Sequence, residues 1–180
     1  MIGDYTGDLA ISIFDRHSQV RRGGQVIRYH TSPTLGNQTV AEHSWGVATI
    51  CVELWFDCSL ELLKAALYHD VHEGWTGDIP HGFKLEDKEL RRCLQNLEHN
   101  FEVENKLWYE LDKEDTRRLE LADIFELMWY IREQQALGNH RLDEIFDCGS
   151  KIANGLISLE YKSELDMQEL LDTKELRRFS

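Results

Sequence analysis

The chain has 180 residues, with 20 Lys plus Arg against 33 Asp plus Glu for a formal charge of -13, and it is 42% hydrophobic and 10% aromatic. That length suits one domain with a sizeable core, expected over residues 1–180, and the apolar content excludes a disordered chain despite the acidity. The charge opposes binding to bulk nucleic acid, although a local basic pocket can hold a small phosphate ester. Apolar runs are short and broken by charge, and Met1–Asp8 lacks the basic-then-apolar pattern of an export signal, so no membrane association and a cytoplasmic location are expected.

With both prolines before residue 81 and little Val/Ile/Thr alternation, an all-α domain is expected. A weakly amphipathic helix over 2–20 runs into Arg21-Arg22-Gly23-Gly24. A structured loop over 23–38 then carries Arg28, Tyr29 and His30, with 25–29 the best strand candidate. Thr39-Val-Ala-Glu42 matches a capping box for a helix reaching about Phe56. Ser59 caps the next helix, through about Gly74, and a turn occupies 77–80. A long charged helix is expected over 84–110, and Asp112 caps another that ends at Leu137 before Gly138-Asn139. Helices over about 142–159 and 162–178 complete the domain. Cys51, Cys58, Cys93 and Cys148 form no Cys-x-x-Cys pair and read as core thiols. Trp45, Trp55, Trp108 and Trp129 read as core, Trp75 as core or ligand platform, His72 as a surface residue or a support behind the site, and His17, His99 and His140 as exposed.

Three of these helices place ligand-type residues on apolar stripes. One turn before Val47, Ile50 and Leu54 the stripe holds His43. Leu62, Ala66, His69 and Glu73 share a row, with Leu63, Leu67 and Asp70 beside it. Asp123 sits among Leu119, Leu127 and Tyr130, where burial is expected. A buried carboxylate needs a cation or a proton, and no Lys or Arg lies on its own stripe near Asp123. Two imidazoles and two carboxylates suit a divalent transition metal with positions left open for water and substrate. The alternative, a set of hydrogen-bonded core polar groups, stays open on periodicity alone.

The pattern His43, His69-Asp70, Asp123, together with Ala-Glu-His-Ser at 41–44, Tyr-His-Asp-x-x-Glu at 68–73 and Thr-Gly-Asp-Ile-Pro-x-x-x-Lys at 76–84, resembles the HD-domain metal-dependent phosphohydrolases. The resemblance covers about residues 28–138. It is to the YfbR-like 5'-deoxynucleotidases, and more closely to the phage dATP triphosphohydrolases of the DatZ type. It implies a compact HD-domain helical bundle and a metal (zinc, cobalt or manganese) on His43, His69, Asp70 and Asp123. It also implies Glu73 near the attacking water, and a second cation on Glu73 and Asp78. Arg28 and Lys84 would contact phosphate, while Tyr29, Thr31, Trp75, Thr76, Ile79 and Pro80 would line the substrate site. The family commonly has Arg-Trp where this chain has Arg28-Tyr29, so the aromatic platform is a smaller ring with a hydroxyl. His30-Thr31 after Arg28 follows the phage branch and favours dATP, cleaved to deoxyadenosine and triphosphate. Hydrolysis of deoxynucleoside monophosphates and a catalytically silent nucleotide-binding module are the alternatives. The resemblance further implies a homo-oligomer and, for a phage protein, action in the host cytoplasm on a small-molecule deoxynucleotide.

Overall fold

The computed structural model describes residues 5–80, 83–84 and 87–160. Its helices are α1 (Tyr5–Gly23), α2 (Val40–Leu54), α3 (Leu60–Tyr68), the single turn α4 (Glu73–Thr76), α5 (Lys88–Glu104), α6 (Lys113–Ala136) and α7 (Asp143–Glu160). The all-α expectation holds among the described residues. The strand candidate reduces to one isolated antiparallel bridge, Ile27 with Thr39, which closes the neck of the loop carrying Arg28.

Local chemistry sets the helix ends. Thr39 N–H donates to Glu42 Oε2 at 2.7 Å and Glu42 N–H donates to Thr39 Oγ1 at 3.2 Å, so the capping box starts α2 as its sequence demands. Ser59 Oγ accepts from Leu62 N–H at 3.0 Å and donates to Asp115 Oδ2 at 2.6 Å, which caps α3 and ties its start to α6. Asp112 Oδ1 accepts from Asp115 N–H at 2.8 Å to begin α6. At its far end Gly138, with φ of 86°, supplies the left-handed turn.

The core lies where α2, α3, α6 and α7 meet. Val47, Ala48 and Cys51 of α2 pack with Leu62 and Ala66 of α3, Leu121, Ala122 and Phe125 of α6, and Ala153 of α7. Each of those leucines contributes roughly 1.5–3 kcal/mol by leaving water. Two backbones then meet at close range. Gly23, at the end of α1, is buried with Val71 backbone where a Cβ would stand, and a Cβ on Gly74 would lie 3.0 Å from Gly23 N. These glycines let α1 rest on the segment that follows α3.

Several expectations need correction. The helix expected to reach Gly74 ends at Tyr68. His69 is its C-cap, and Asp70 to His72 form a turn before α4, so His69 and Asp70 leave the strict helical stripe. The helix expected over 84–110 is shorter because Asp87 caps it by accepting from Glu89 and Leu90 N–H, and because Lys106, with φ of 56°, turns the chain out of it. Of the tryptophans only Trp55 is buried, while Trp45, Trp108 and Trp129 are exposed. Cys51 is buried and Cys58 partly so, but Cys93 and Cys148 are exposed and are not core thiols. The helix expected over 162–178 lies outside the described residues.

Candidate metal centre

Four chain segments converge at one end of the core. His43 comes from the first turn of α2, His69 and Asp70 from the end of α3, Asp123 from the middle of α6, and Arg28 from the loop. His43 Nε2 lies 3.0 Å from Asp123 Oδ1, 3.3 Å from His69 Nε2 and 3.6 Å from Asp70 Oδ2. His69 Nε2 lies 3.4 Å from Asp70 Oδ2 and 4.0 Å from Asp123 Oδ1. Ligand atoms bound at roughly 2.0–2.2 Å in a tetrahedron or octahedron stand about 3.0–3.5 Å apart; three of the five separations fall in that range, and those of 3.6 and 4.0 Å lie above it.

The tautomers decide the fit. His69 Nδ1 faces Ala66 O at 2.9 Å, and His43 Nδ1 makes a short contact with Glu126 Oε2, so each ring carries its proton on Nδ1. Both Nε2 lone pairs then face each other across 3.3 Å with two carboxylates beside them, an arrangement that is repulsive without a positive charge among them. A second proton on His43, shared between Nε2 and Asp123 Oδ1, is one source of that charge, and a divalent ion is another. Burial opposes charge on His43, but hydrogen bonds to Asp123 and Glu126 outweigh it and push its pKa up to about 9. Against burial, His69, His43 and Arg28 hold the Asp70 carboxyl below its usual range. Asp123 is likewise lowered, burial being overcome by His43 and His69. The expected burial of Asp123 is only partial, its side chain being 42% accessible. The donor set fits a divalent ion with N and O ligands.

Arg28 brings a cation to this end of the core, its Nη1 lying 3.6 Å from Glu126 Oε2. Burial disfavours its charge, but Tyr29, Asp70, Asp123 and Glu126 raise its pKa above the ordinary value. The loop that presents it is fastened at several points. Arg28 N–H donates to Gln38 O at 2.9 Å, Tyr29 N–H donates to Asp78 Oδ2 at 2.6 Å, and Leu35 exchanges two hydrogen bonds with the Gln134 side chain of α6. The Tyr29 ring stacks on Tyr130 with centroids 5.2 Å apart, and the Arg28 guanidinium lies 5.3 Å from its centroid.

Beyond the four convergent residues, Glu73 is buried at the start of α4 with no hydrogen-bond partner for Oε2 among the described residues. Burial, Asp70 and Asp78 push its pKa up to about 9. Asp70, His72 and Glu73 form a second grouping with ligand atoms within 4.8 Å of one another, whereas Asp78, expected beside Glu73 for a second cation, is engaged by the Tyr29 backbone. Lys84 Nζ lies 3.3 Å from Glu98 Oε1. Ile79 is partly buried, and Pro80, Thr31 and Thr76 are exposed. Trp75 is engaged away from the four convergent residues: its Nε1 donates to Gln19 Oε1 at 3.3 Å, and its ring meets Arg22 and Phe101.

Sequence reasoning missed Glu126, Gln38 and Glu98. Glu126 stands three residues after Asp123 on α6, a spacing that could have signalled a shared face, but a single glutamate in the run Ile124 to Tyr130 can equally be the residue that points to solvent. His72 is buried, with Nε2 3.4 Å from Glu98 Oε1, so the surface alternative for it falls.

Residues 18–136 match the model of the family described as 5'-deoxynucleotidase YfbR-like. The chain belongs to the YfbR-like family. The family resemblance read from the His, His-Asp and Asp motifs is thus shown. Among relatives of this YfbR-like chain is a dATP triphosphohydrolase of Salmonella phage PMBT28, 30% identical over an alignment of 128 residues that covers 62% of this chain and 63% of that protein. The matched stretch thus spans a little under two thirds of the relative. Among solved structures, the Cyanophage S-2L HD phosphohydrolase DatZ, bound to dA and one catalytic zinc ion, superposes with a TM-score of 0.62 at 22% identity, covering 90% of this chain and 94% of that one. An HD-domain phosphohydrolase from Listeria innocua gives 0.67 at 20% identity, covering 92% of each. These likenesses establish the HD fold. Among the described residues no helix is long and apolar enough to cross a membrane.

Proposed function

We propose that this YfbR-like protein is a metal-dependent deoxynucleotide phosphohydrolase whose preferred substrate is dATP, cleaved to deoxyadenosine and triphosphate. The observation that carries the metal-dependent part is the convergence of His43 Nε2 and His69 Nε2, 3.3 Å apart, with the Asp70 and Asp123 carboxylates beside them. The phage relative named for dATP hydrolysis and the His30-Thr31 sequence after Arg28 support the choice of substrate.

His43, His69, Asp70 and Asp123 would hold the ion, which when bound would supply Lewis acidity to water and to a phosphoryl oxygen. Arg28 presents a planar fork to the non-bridging phosphate oxygens and fixes the α-phosphorus in line for attack. Glu73 takes the proton released as a water oxygen bonds to that phosphorus, and the bond to the 5' oxygen breaks as that oxygen gains a proton. Burial, Asp70 and Asp78 raise this carboxyl, Arg28 and Lys84 oppose the rise, and a divalent ion bound beside Asp70 would lower it further, so that Glu73 could take up the proton and pass it on. Lys84 offers a point charge to the outer phosphates, and Tyr29 a face to the sugar or base. The second reading, release of phosphate from deoxynucleoside monophosphates, uses the same groups and is favoured by the family's description.

The test is product analysis of the purified protein with dATP and with dAMP under added zinc, cobalt or manganese. Triphosphate and deoxyadenosine from dATP are expected. Phosphate from dAMP with dATP untouched selects the second reading, and tight nucleotide binding without turnover of either selects a silent binding module.

A further inference from the structure

Glu126 joins the two halves of the site. Its Oε2 contacts His43 Nδ1 and lies 3.6 Å from Arg28 Nη1, while its Oε1 accepts from Gln38 Nε2 at 2.7 Å. Gln38 Oε1 in turn accepts from Arg28 Nη1 at 3.2 Å, which closes a ring of contacts through Arg28, Gln38 and Glu126. Glu126 and Gln38 are buried, and His43 wholly so. Everything that faces the Glu126 carboxylate in these contacts is a donor, so a group that only accepts is required; an amide offers one acceptor oxygen and would turn an N–H toward another N–H.

The backbone makes room for this carboxylate. A Cβ on Gly46, one turn beyond His43 on α2, would stand 2.7 Å from Glu126 Cγ and 3.2 Å from Oε1. Glycine inside a helix lowers its stability, so its presence here, against the Glu126 stem, fits a requirement for close approach.

We infer that Glu126 is a positioning residue that orients His43 Nε2 toward the metal and holds Arg28 at the phosphate through the same carboxylate, so that metal binding and phosphate contact are set by one group. This rests on the metal-dependent reading above. Partners of ligating histidines typically change metal affinity by about 10–100-fold when removed.

The experiment has two arms. In the first, metal-free protein is titrated with cobalt(II) against a competing chelator, and helical circular dichroism is recorded. Glu126→Gln is expected to weaken cobalt binding about 10–100-fold with the helical signal retained. Gly46→Ala, whose methyl would press on the Glu126 side chain without removing a polar group, is expected to weaken it to a smaller degree. In the second arm, at cobalt concentrations saturating each variant, Glu126→Gln is expected to change kcat/KM for dATP several-fold when Arg28 is present and less than twofold in an Arg28→Ala background. Cobalt affinity within twofold of the parent in both Glu126→Gln and Gly46→Ala overturns the inference, as does an equal effect in the two Arg28 backgrounds. If the parent protein turns over neither dATP nor dAMP, the proposed reaction falls. The cobalt arm, which reads metal affinity and not turnover, then judges Glu126 on its own.

Discussion

Helix α6 carries two polar clusters little more than a turn apart, and they are built on opposite rules. Around Arg118 every contact joins a donor to an acceptor: Nη2 meets Glu114 Oε1 at 2.5 Å and Asp57 Oδ2 at 3.3 Å, and Nη1 meets Asp115 Oδ1 at 3.3 Å. The guanidinium also lies 5.7 Å from the centroid of the Trp55 ring. Around Asp123, groups able to ligate a cation crowd together with at most one proton to share: the two Nε2 atoms lie 3.3 Å apart and Asp70 and Asp123 flank them. A cluster that satisfies itself cements helices, whereas one that leaves like facing like is shaped for something the chain does not itself contain.

The sharpest test of that contrast is Asp70→Ala. It should abolish metal binding and lower kcat/KM by at least about a thousandfold, near 4 kcal/mol of barrier, while circular dichroism still reports a helical protein. Unchanged turnover breaks the assignment. Arg118→Ala should do the reverse, lowering the free energy of unfolding by about 2 kcal/mol in urea melts while the folded protein keeps its metal and its turnover within about twofold. Loss of metal there would show that the two clusters are one.

Lys84→Ala is expected to raise KM or slow turnover about tenfold with metal content preserved, measured by steady-state assay and metal analysis on one sample. Metal loss would move Lys84 from phosphate contact to support of the metal site. The smallest effect concerns Glu102, whose pKa burial pushes up to about 7, with Glu98 and Asp70 adding to the rise and His72 opposing it. A carboxyl raised in the folded state binds its proton more tightly there, so its contribution to stability is full below about pH 4.5 and is lost as pH climbs through about 7. Glu102→Gln should therefore gain about 1 kcal/mol over the parent at pH 8 and match it near pH 4. A gain that is independent of pH would reject this account.

The convergence of His43, His69, Asp70 and Asp123 was legible because polar groups stood where helical periodicity asks for apolar ones. Thr39 and Glu42 were legible because a capping box is a local pattern. What could not be read depends on separation in the chain. Glu126 meets Gln38 across 88 residues, and Lys84 meets Glu98 from a different element. The break after Tyr68 escaped because Leu60 to Glu73 contains no glycine or proline to mark it. Aromatic content misled as well: Trp45 and Trp129 read as core but stand at an accessible cavity of about 530 Å³ between α2 and α6.

Tyr29 adopts φ of 57°, a left-handed torsion that a side chain with Cβ disfavours by about 1 kcal/mol or more, and its N–H is held by Asp78 Oδ2. The segment bearing Arg28 is therefore a sprung catch and not a slack hinge. Cutting its fastening by Asp78→Ala should let the torsion relax and carry the guanidinium away from its station, so that one carboxylate 49 residues along the chain keeps the spring cocked.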